Sequence, residues 1–131
     1  AIKHAIPVLN KGASVIATTS VVNQMAMPGA SAYAASKAAL RQLVRTAAAE
    51  LSPRGIRVNA VSPGPIETPI FSKTGMPAAD MEQMAAGIQS QVALGRFGKS
   101  EEVANVALFL ASDEASFVQG QEYAVDGGMT L

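Results

Sequence analysis

The sequence predicts an α/β domain in which helices are wound on both faces of a parallel sheet. Predicted helices and strands alternate in the order helix, strand, helix, strand, helix, helix, strand. Strands that are separated by helices pair in parallel through right-handed crossovers. The predicted strands are also apolar along their whole length, as burial on both faces requires. The 131 residues allow one domain with a single hydrophobic core.

The chain opens on a helical segment. Ile2, Ala5, Ile6 and Leu9 follow the spacing of one helix face. No capping residue precedes them, and Gly12 is a typical helix stop. We therefore expect this segment to be the end of a helix that begins upstream.

Three short segments are predicted to be strands. They span residues 14–19, 57–62 and 123–125, and the first two are rich in β-branched residues. Pro63-Gly64-Pro65 ends the second strand and Asp126-Gly127-Gly128 ends the third. Three strands make a small sheet for a doubly wound domain, which indicates that a further part of the fold exists.

Three longer helices are predicted between these strands. Residues 31–52 contain no Gly or Pro, which favours one long helix. Residues 78–94 are compatible with a Met-rich helix, and another helix begins at Ser100, whose hydroxyl offers an N-cap. Residues 21–29 and 67–77 are predicted loops.

The long helix has two different faces. At about 100° per residue, one stripe is expected to face the sheet, and it consists of Tyr33, Lys37, Leu40, Val44 and Leu51. The opposite face is either exposed to solvent, because Ala is the best helix former, or packed against a helix of another subunit. We favour the subunit interface, since exposed helix faces usually carry more charge. This small-residue face consists of Ala35, Ala38, Ala39, Gln42, Thr46 and Ala49.

The composition excludes several classes of function. Ten basic residues balance ten acidic ones, which argues against nucleic acid or an acidic membrane as a partner. The sequence has no Cys, so disulfides, thiol nucleophiles and thiolate metal sites are excluded. With a single His, a His-rich zinc site is excluded too. We expect a cytoplasmic protein without a metal.

Three features of the sequence meet at one edge of the predicted sheet. Ser20 follows the first strand, and Pro63-Gly64 follows the second. Tyr33 and Lys37 are four residues apart at the start of the long helix, so they share one helix face. Each feature alone has an ordinary structural explanation as a turn, a packed ring or a lysine that reaches water. Together they predict a ligand site in the crevice at the carboxyl ends of the strands.

Five motifs in this order resemble the short-chain dehydrogenase/reductase family. They are Thr18-Thr19-Ser20, Tyr33-Ala34-Ala35-Ser36-Lys37, residues 57–68, Gln119-Gly120-Gln121 and Asp126-Gly127-Gly128. The resemblance covers nearly the whole chain. It implies that residues 1–131 are the C-terminal, catalytic half of a Rossmann-like domain. A 3-oxoacyl-(acyl carrier protein) reductase, a sugar dehydrogenase and a secondary-alcohol dehydrogenase are all consistent with these motifs.

Two features of that family are not found in the sequence. They are its Gly-rich phosphate-binding turn and its Asn-Asn-Ala-Gly segment. The family's catalytic Asn would lie upstream of Ala1, and Asn10 lies at the wrong end of its helix to take that role.

The resemblance implies an NAD(P)-dependent oxidoreductase that moves a hydride between a nicotinamide and a carbonyl or secondary alcohol. Ser20 would donate to the carbonyl oxygen as that atom gains charge. Tyr33 would be the general acid in reduction and the general base in oxidation. A phenol has a reference pKa near ~10, and a neighbouring ammonium favours the phenolate. Lys37 would therefore assist Tyr33.

The resemblance also implies a binding site for NAD or NADP. Lys37 would donate to the ribose hydroxyls, and Pro63 and Gly64 would form a stiff wall for the flat ring. The backbone of Ile66 would hold the carboxamide, and Thr68 would hold the carboxamide or the diphosphate. The expected cofactor-binding residues are thus Tyr33, Lys37, Pro63, Gly64, Ile66 and Thr68.

Two further segments have alternative interpretations. Met76, Met81 and Met84 lie where the family covers its substrate, and Met adapts to irregular apolar ligands. We favour ordinary packing for them. Arg96-Phe97-Gly98, followed by Glu101-Glu102, resembles a stretch of the family with a structural role, and the alternative is a surface ion pair.

Two functions from different classes remain. The first is the oxidoreductase, with a small carbonyl or alcohol as substrate and a homo-oligomer, dimer or tetramer, as assembly. The second is a truncated, non-catalytic fragment that keeps a surface for oligomerisation or partner binding, because a chain without the phosphate-binding turn binds the cofactor weakly. The complete set of Ser20, Tyr33 and Lys37 favours the enzyme.

Overall fold

A computed structural model describes residues 2–69 and 77–131. The helices and strands follow each other in the predicted order. Short 3₁₀ turns follow α1, β1 and α2 at Ile6–Val8, Val21–Asn23 and Ser52–Arg54. The elements are α1 Ile2–Ala5, β1 Ser14–Thr18, α2 Ser31–Leu51, β2 Arg57–Pro63, α3 Ala78–Gln89, α4 Ser100–Ala111 and β3 Glu122–Val125.

The three strands form one parallel sheet in the order β1-β2-β3. Thr18 of β1 lies beside Val61 of β2, and Val61 lies beside Tyr123 of β3. The carboxyl ends of the three strands therefore meet at one edge of the sheet. The predicted parallel pairing is confirmed.

The sheet divides the interior into two hydrophobic clusters. The prediction of a single core is wrong, because buried side chains of β2 point to both faces. Helix α2 covers the first cluster and α4 covers the second, which confirms the doubly wound α/β architecture. The first cluster is Val44, Ala47, Ala48, Leu51, Ile56, Val58 and Ala60, and the second is Val61, Leu110 and Ala115.

The two faces of α2 differ as predicted along most of its length. Val44 and Leu51 are buried, and all six residues of the small-residue face are exposed. Tyr33 is an exception, since 49% of it is exposed. The Lys37 ammonium contacts the carbonyl of Thr18, the last residue of β1. Tyr33 lies one helical turn before Lys37 and therefore beyond the end of that strand. The subunit interface stays a prediction.

Two helix boundaries differ from the prediction. Helix α3 ends at Gln89 rather than at residue 94. Helix α4 is capped at Lys99, not at Ser100, because the Glu102 carboxylate accepts the Lys99 backbone N–H at 2.7 Å. Met81 and Met84 are half-buried on α3, and Met76 lies outside the described residues. Within residues 2–69 and 77–131, the helices are too short or too polar to cross a membrane.

Candidate active site

Lys37 lies at the centre of the predicted site. Its Nζ donates a hydrogen bond of 2.9 Å to the carbonyl oxygen of Thr18, the last residue of β1. The same Nζ lies 5.7 Å from the centroid of the Tyr33 ring, within the range of a cation–π attraction. An ammonium has three donors. The bond to Thr18 therefore leaves N–H groups that a ligand can use.

Ser20 lies two residues beyond the carbonyl that Lys37 holds. Its backbone is extended, and it caps the 3₁₀ turn Val21–Asn23 by accepting the Val22 N–H at 3.5 Å. The buried side chain of Val21 anchors this turn. Because the Ser20 oxygen acts as an acceptor within the chain, its own proton remains available for donation. That is the chemistry expected of this hydroxyl.

Tyr33 lies in the first turn of α2 with its ring half exposed. Its backbone carbonyl accepts the Ser36 hydroxyl at 2.7 Å. The structure thus brings Ser20, Tyr33 and Lys37 to the carboxyl end of β1, as the sequence predicts. Their catalytic roles stay a prediction.

The end of β2 is pressed against the end of β3. The Gly64 N–H donates to the Val125 carbonyl oxygen at 3.0 Å. A Cβ atom added at Gly64 would lie 2.6 Å from the Cβ of Asp126, a distance that no real contact tolerates. Glycine at this position therefore permits the close approach of the two strand ends.

Asp126 closes the turn that follows β3. Its carboxylate accepts the Gly128 N–H at 2.9 Å, the Thr130 N–H at 3.0 Å and the Thr130 hydroxyl at 2.7 Å. Burial acts to raise the pKa of this carboxyl, but the hydrogen bonds from Thr130 and Gly128 outweigh it and hold the pKa below its usual range. The predicted turn at this point is confirmed.

The loop with Ile66 is held against the segment that precedes α4. Ile66 forms a parallel β-bridge with Gly98. The Gly98 N–H donates to the Pro65 carbonyl, and the Glu67 N–H donates to the Gly98 carbonyl, each at 2.9 Å. These bonds fix the course of the predicted cofactor loop up to Thr68, which is exposed.

Arg96 and Glu102 form the surface ion pair considered above. The guanidinium donates to both carboxylate oxygens, at 2.7 and 2.9 Å. Arg96 and the Lys99 backbone N–H lower the pKa of Glu102 to about 2. The pair therefore joins this segment to the first turn of α4.

Glu122 is not among the site residues predicted from the sequence. Its side chain is only 6% exposed, although the residue is charged and opens β3. Its carboxylate contacts Thr19, Asn23 and Arg41, which are far away in sequence. One signal in the sequence could have indicated this residue: a charged side chain stands directly before a strand that is predicted to be buried.

The chain is similar to known proteins over nearly its whole length. Residues 1–130 match the family model described as enoyl-(acyl carrier protein) reductase. The chain is 48% identical over 121 residues to the 3-oxoacyl-[acyl-carrier-protein] reductase FabG of Thermotoga maritima. That alignment covers 92% of this chain and 47% of the relative. The chain belongs to the short-chain dehydrogenase/reductase family.

Other members of the family show the same relation. A cyclopentanol dehydrogenase of Comamonas is 42% identical over 116 residues, which cover 88% of this chain and 45% of the relative. The ligand-free aldohexose dehydrogenase of Thermoplasma acidophilum matches with a TM-score of 0.87 and 34% identity, over 98% of this chain and 52% of its own. The chain spans about half the length of the curated relatives that it matches. These relatives are named reductases and dehydrogenases, so they give no support to the binding-fragment hypothesis.

Proposed function

We propose that the protein carrying this chain is an NAD(P)-dependent oxidoreductase that interconverts a small carbonyl compound and its secondary alcohol. The observation that carries this proposal is the position of the Lys37 ammonium. It is hydrogen-bonded to the end of β1 and lies 5.7 Å from the centroid of the Tyr33 ring. A cation held beside a phenol, with a hydroxyl close by in the chain, fits acid–base chemistry at a carbonyl.

Each of the three side chains has a separate task. In reduction, the Ser20 hydroxyl donates to the carbonyl oxygen, which gains negative charge in the transition state. The Tyr33 hydroxyl delivers the proton to that oxygen, and in oxidation it removes the proton from the alcohol. The Lys37 ammonium offsets the negative charge that the phenol acquires when it gives up its proton.

The residues at this edge of the sheet fit a nicotinamide dinucleotide. Lys37 has N–H donors for ribose hydroxyls, and the rigid ring of Pro63 with the backbone of Gly64 offers a flat surface for the nicotinamide. The Ile66 backbone and the Thr68 hydroxyl provide polar groups for a carboxamide or a diphosphate. When bound, the cofactor donates or accepts the hydride. Both NAD and NADP fit this set of residues.

The test is turnover by the natural protein in its full length, with Tyr33→Phe as the decisive variant. The substrates are taken from the relatives: a 3-oxoacyl thioester, cyclopentanol and an aldohexose, each with NAD(H) and NADP(H). Loss of the phenolic proton should lower kcat by about 100-fold or more, while the Kd of the cofactor changes little.

The matched control is Tyr123→Phe. Tyr123 packs edge-on against Phe109, with ring centroids 6.3 Å apart, so this variant also loses one hydroxyl but away from Lys37. It should keep its turnover. Equal turnover by Tyr33→Phe and the wild type would refute the assignment.

We further propose that this protein assembles as a homo-oligomer, a dimer or a tetramer, through the small-residue face of α2. All six residues of that face are exposed, and small side chains permit close approach of a second helix. Sedimentation of the full-length protein checks this proposal. A monomer at micromolar concentration would contradict it.

A further inference from the structure

Glu122 lies in a row of small residues on one face of the sheet. The register pairs Ala17 with Ala60, and Ala60 with Glu122. Because both neighbours are alanines, the Glu122 side chain has room to extend across the sheet towards β1. Its carboxylate is thereby buried beneath α2, with 6% of the side chain exposed.

The two carboxylate oxygens serve different parts of the chain. Oε1 accepts the Thr19 hydroxyl and the Asn23 side-chain amide, the latter at 2.8 Å. Oε2 pairs with Nε of Arg41 at 3.1 Å and accepts the Gln24 amide at 3.5 Å. Burying a carboxylate costs free energy unless hydrogen bonds compensate it, and these four partners provide that compensation.

The partners of Glu122 surround the proposed catalytic residues. Thr19 and Asn23 flank Ser20 in the chain, one residue before it and three after it. Arg41 lies one helical turn after Lys37 on α2. One carboxylate therefore joins the segment of Ser20 to the helix of Tyr33 and Lys37.

We propose that Glu122 is a positioning residue that fixes the Ser20 hydroxyl relative to the helix with Tyr33 and Lys37. This inference rests on the proposed function. Stability alone does not explain the carboxylate, because burying it costs free energy, and the pair with Arg41, whose side chain is 44% exposed, is weakened by solvent. What an apolar side chain would not supply is the connection between the two segments. A displacement of about 1 Å in such a site costs about 100-fold in rate.

The test compares three variants of the full-length protein. Glu122→Leu fills the space but removes every polar contact, and we expect kcat to fall by about 100-fold with the cofactor Kd nearly unchanged. Glu122→Gln keeps an oxygen for Thr19 and Asn23 but turns an NH2 group towards the Nε–H of Arg41, so it should recover only part of that loss. Glu50→Gln, an exposed carboxylate on α2, removes the same charge and should behave as the wild type.

A double-mutant cycle with Ser20→Ala separates positioning from a general structural effect. If Glu122 acts through Ser20, then Glu122→Leu adds little to the loss already caused by Ser20→Ala. An additive loss of about 100-fold in the Ser20→Ala background would overturn the proposal.

Hydrogen–deuterium exchange tests the same connection without turnover. In Glu122→Leu, the amides of residues 20–24 should exchange faster, while those in the centre of α2 keep their protection. Unchanged exchange at residues 20–24, or faster exchange throughout the chain, would overturn the proposal. If the wild type turns over no substrate, the proposed function fails, and the exchange data alone still decide whether Glu122 holds the Ser20 segment.

Discussion

Replacing Gly64 with Ala tests the close approach of β2 and β3. The added Cβ would lie 2.6 Å from the Cβ and 2.7 Å from the Cα of Asp126. Ordinary contacts of such atoms begin near ~3.5 Å, so the two strand ends would have to separate by nearly 1 Å. One of the two colliding atoms belongs to the backbone, and Asp126 is also held by its own turn. Rotation of a side chain therefore cannot relieve the contact.

The expected cost lies at the upper end of the range for overpacked sites, about 2–3 kcal/mol of unfolding free energy. With a urea m-value of about 2 kcal/mol/M, the unfolding midpoint should fall by about 1 M or more. The assay is equilibrium unfolding in urea, followed by far-UV circular dichroism. Because Gly64 precedes the proposed cofactor loop at Ile66, the Kd of the cofactor should rise as well.

Gly87→Ala is the matched control. Gly87 lies within α3, and an added Cβ there meets no atom within 4 Å. The same substitution should therefore stabilise the protein by about 0.5–1 kcal/mol, through helix propensity alone. If the two variants show the same unfolding midpoint, the argument from steric contact at Gly64 is refuted.

Two further predictions concern the α4 side of the molecule. Leu110 of α4 is fully buried in the cluster with Val61 of β2, and Leu110→Ala should lower the unfolding free energy by about 2–5 kcal/mol. A loss below about 1 kcal/mol in urea unfolding would contradict this packing. The second prediction concerns Glu102, whose pKa in the folded state, about 2, lies below its ordinary value of 4.5. The ion pair with Arg96 therefore stabilises the fold fully above pH 4.5, and this stabilisation is lost as the pH falls towards 2. Thermal unfolding of Glu102→Gln and the wild type should therefore differ at neutral pH and converge in acid, and a difference that is independent of pH would contradict the assignment.

The order of the elements could be predicted because it depends on short-range patterns. Buried β-branched runs, an Ala-rich stretch and Gly or Pro at the ends each bias a local segment. Residues 57–62, for example, form β2 with only one residue added at its end. The edge of the site followed from this order, since parallel strands place Ser20 and Pro63 at the same end of the sheet.

The details that were predicted wrongly depend on competition between neighbouring residues. Ser100 is a better N-cap by type than Lys99, but Glu102 selects Lys99 by accepting its backbone N–H. Tyr33 has the helical phase of the buried stripe of α2. Strand β1 ends before it reaches the first turn of α2, however, so that strand does not cover the Tyr33 ring. The helical phase alone does not show where a neighbouring strand stops.

Polar contacts over long sequence distances were not predictable in the same way. Arg57 donates to the carbonyls of Leu110 and Ser112 at the end of α4, at 2.8 and 3.0 Å. A cation at the C-terminus of a helix satisfies carbonyls that have no partner within the helix. In the sequence this residue is only the first position of an apolar strand.

Gln119 gives a physical reason for a motif that the sequence analysis recognised only by resemblance. Strand β3 begins at Glu122, so it does not extend along the first part of β2, where the Val58 N–H needs an acceptor. The Gln119 side-chain oxygen accepts that N–H at 2.7 Å, while its amide donates to the carbonyl of Ile56 at 3.0 Å and to the Ser52 hydroxyl at 2.8 Å. One side chain thus replaces the missing part of the strand and joins it to the end of α2. An amide, which both accepts and donates, is suited to this position, whereas a carboxylate or an ammonium provides only half of these bonds.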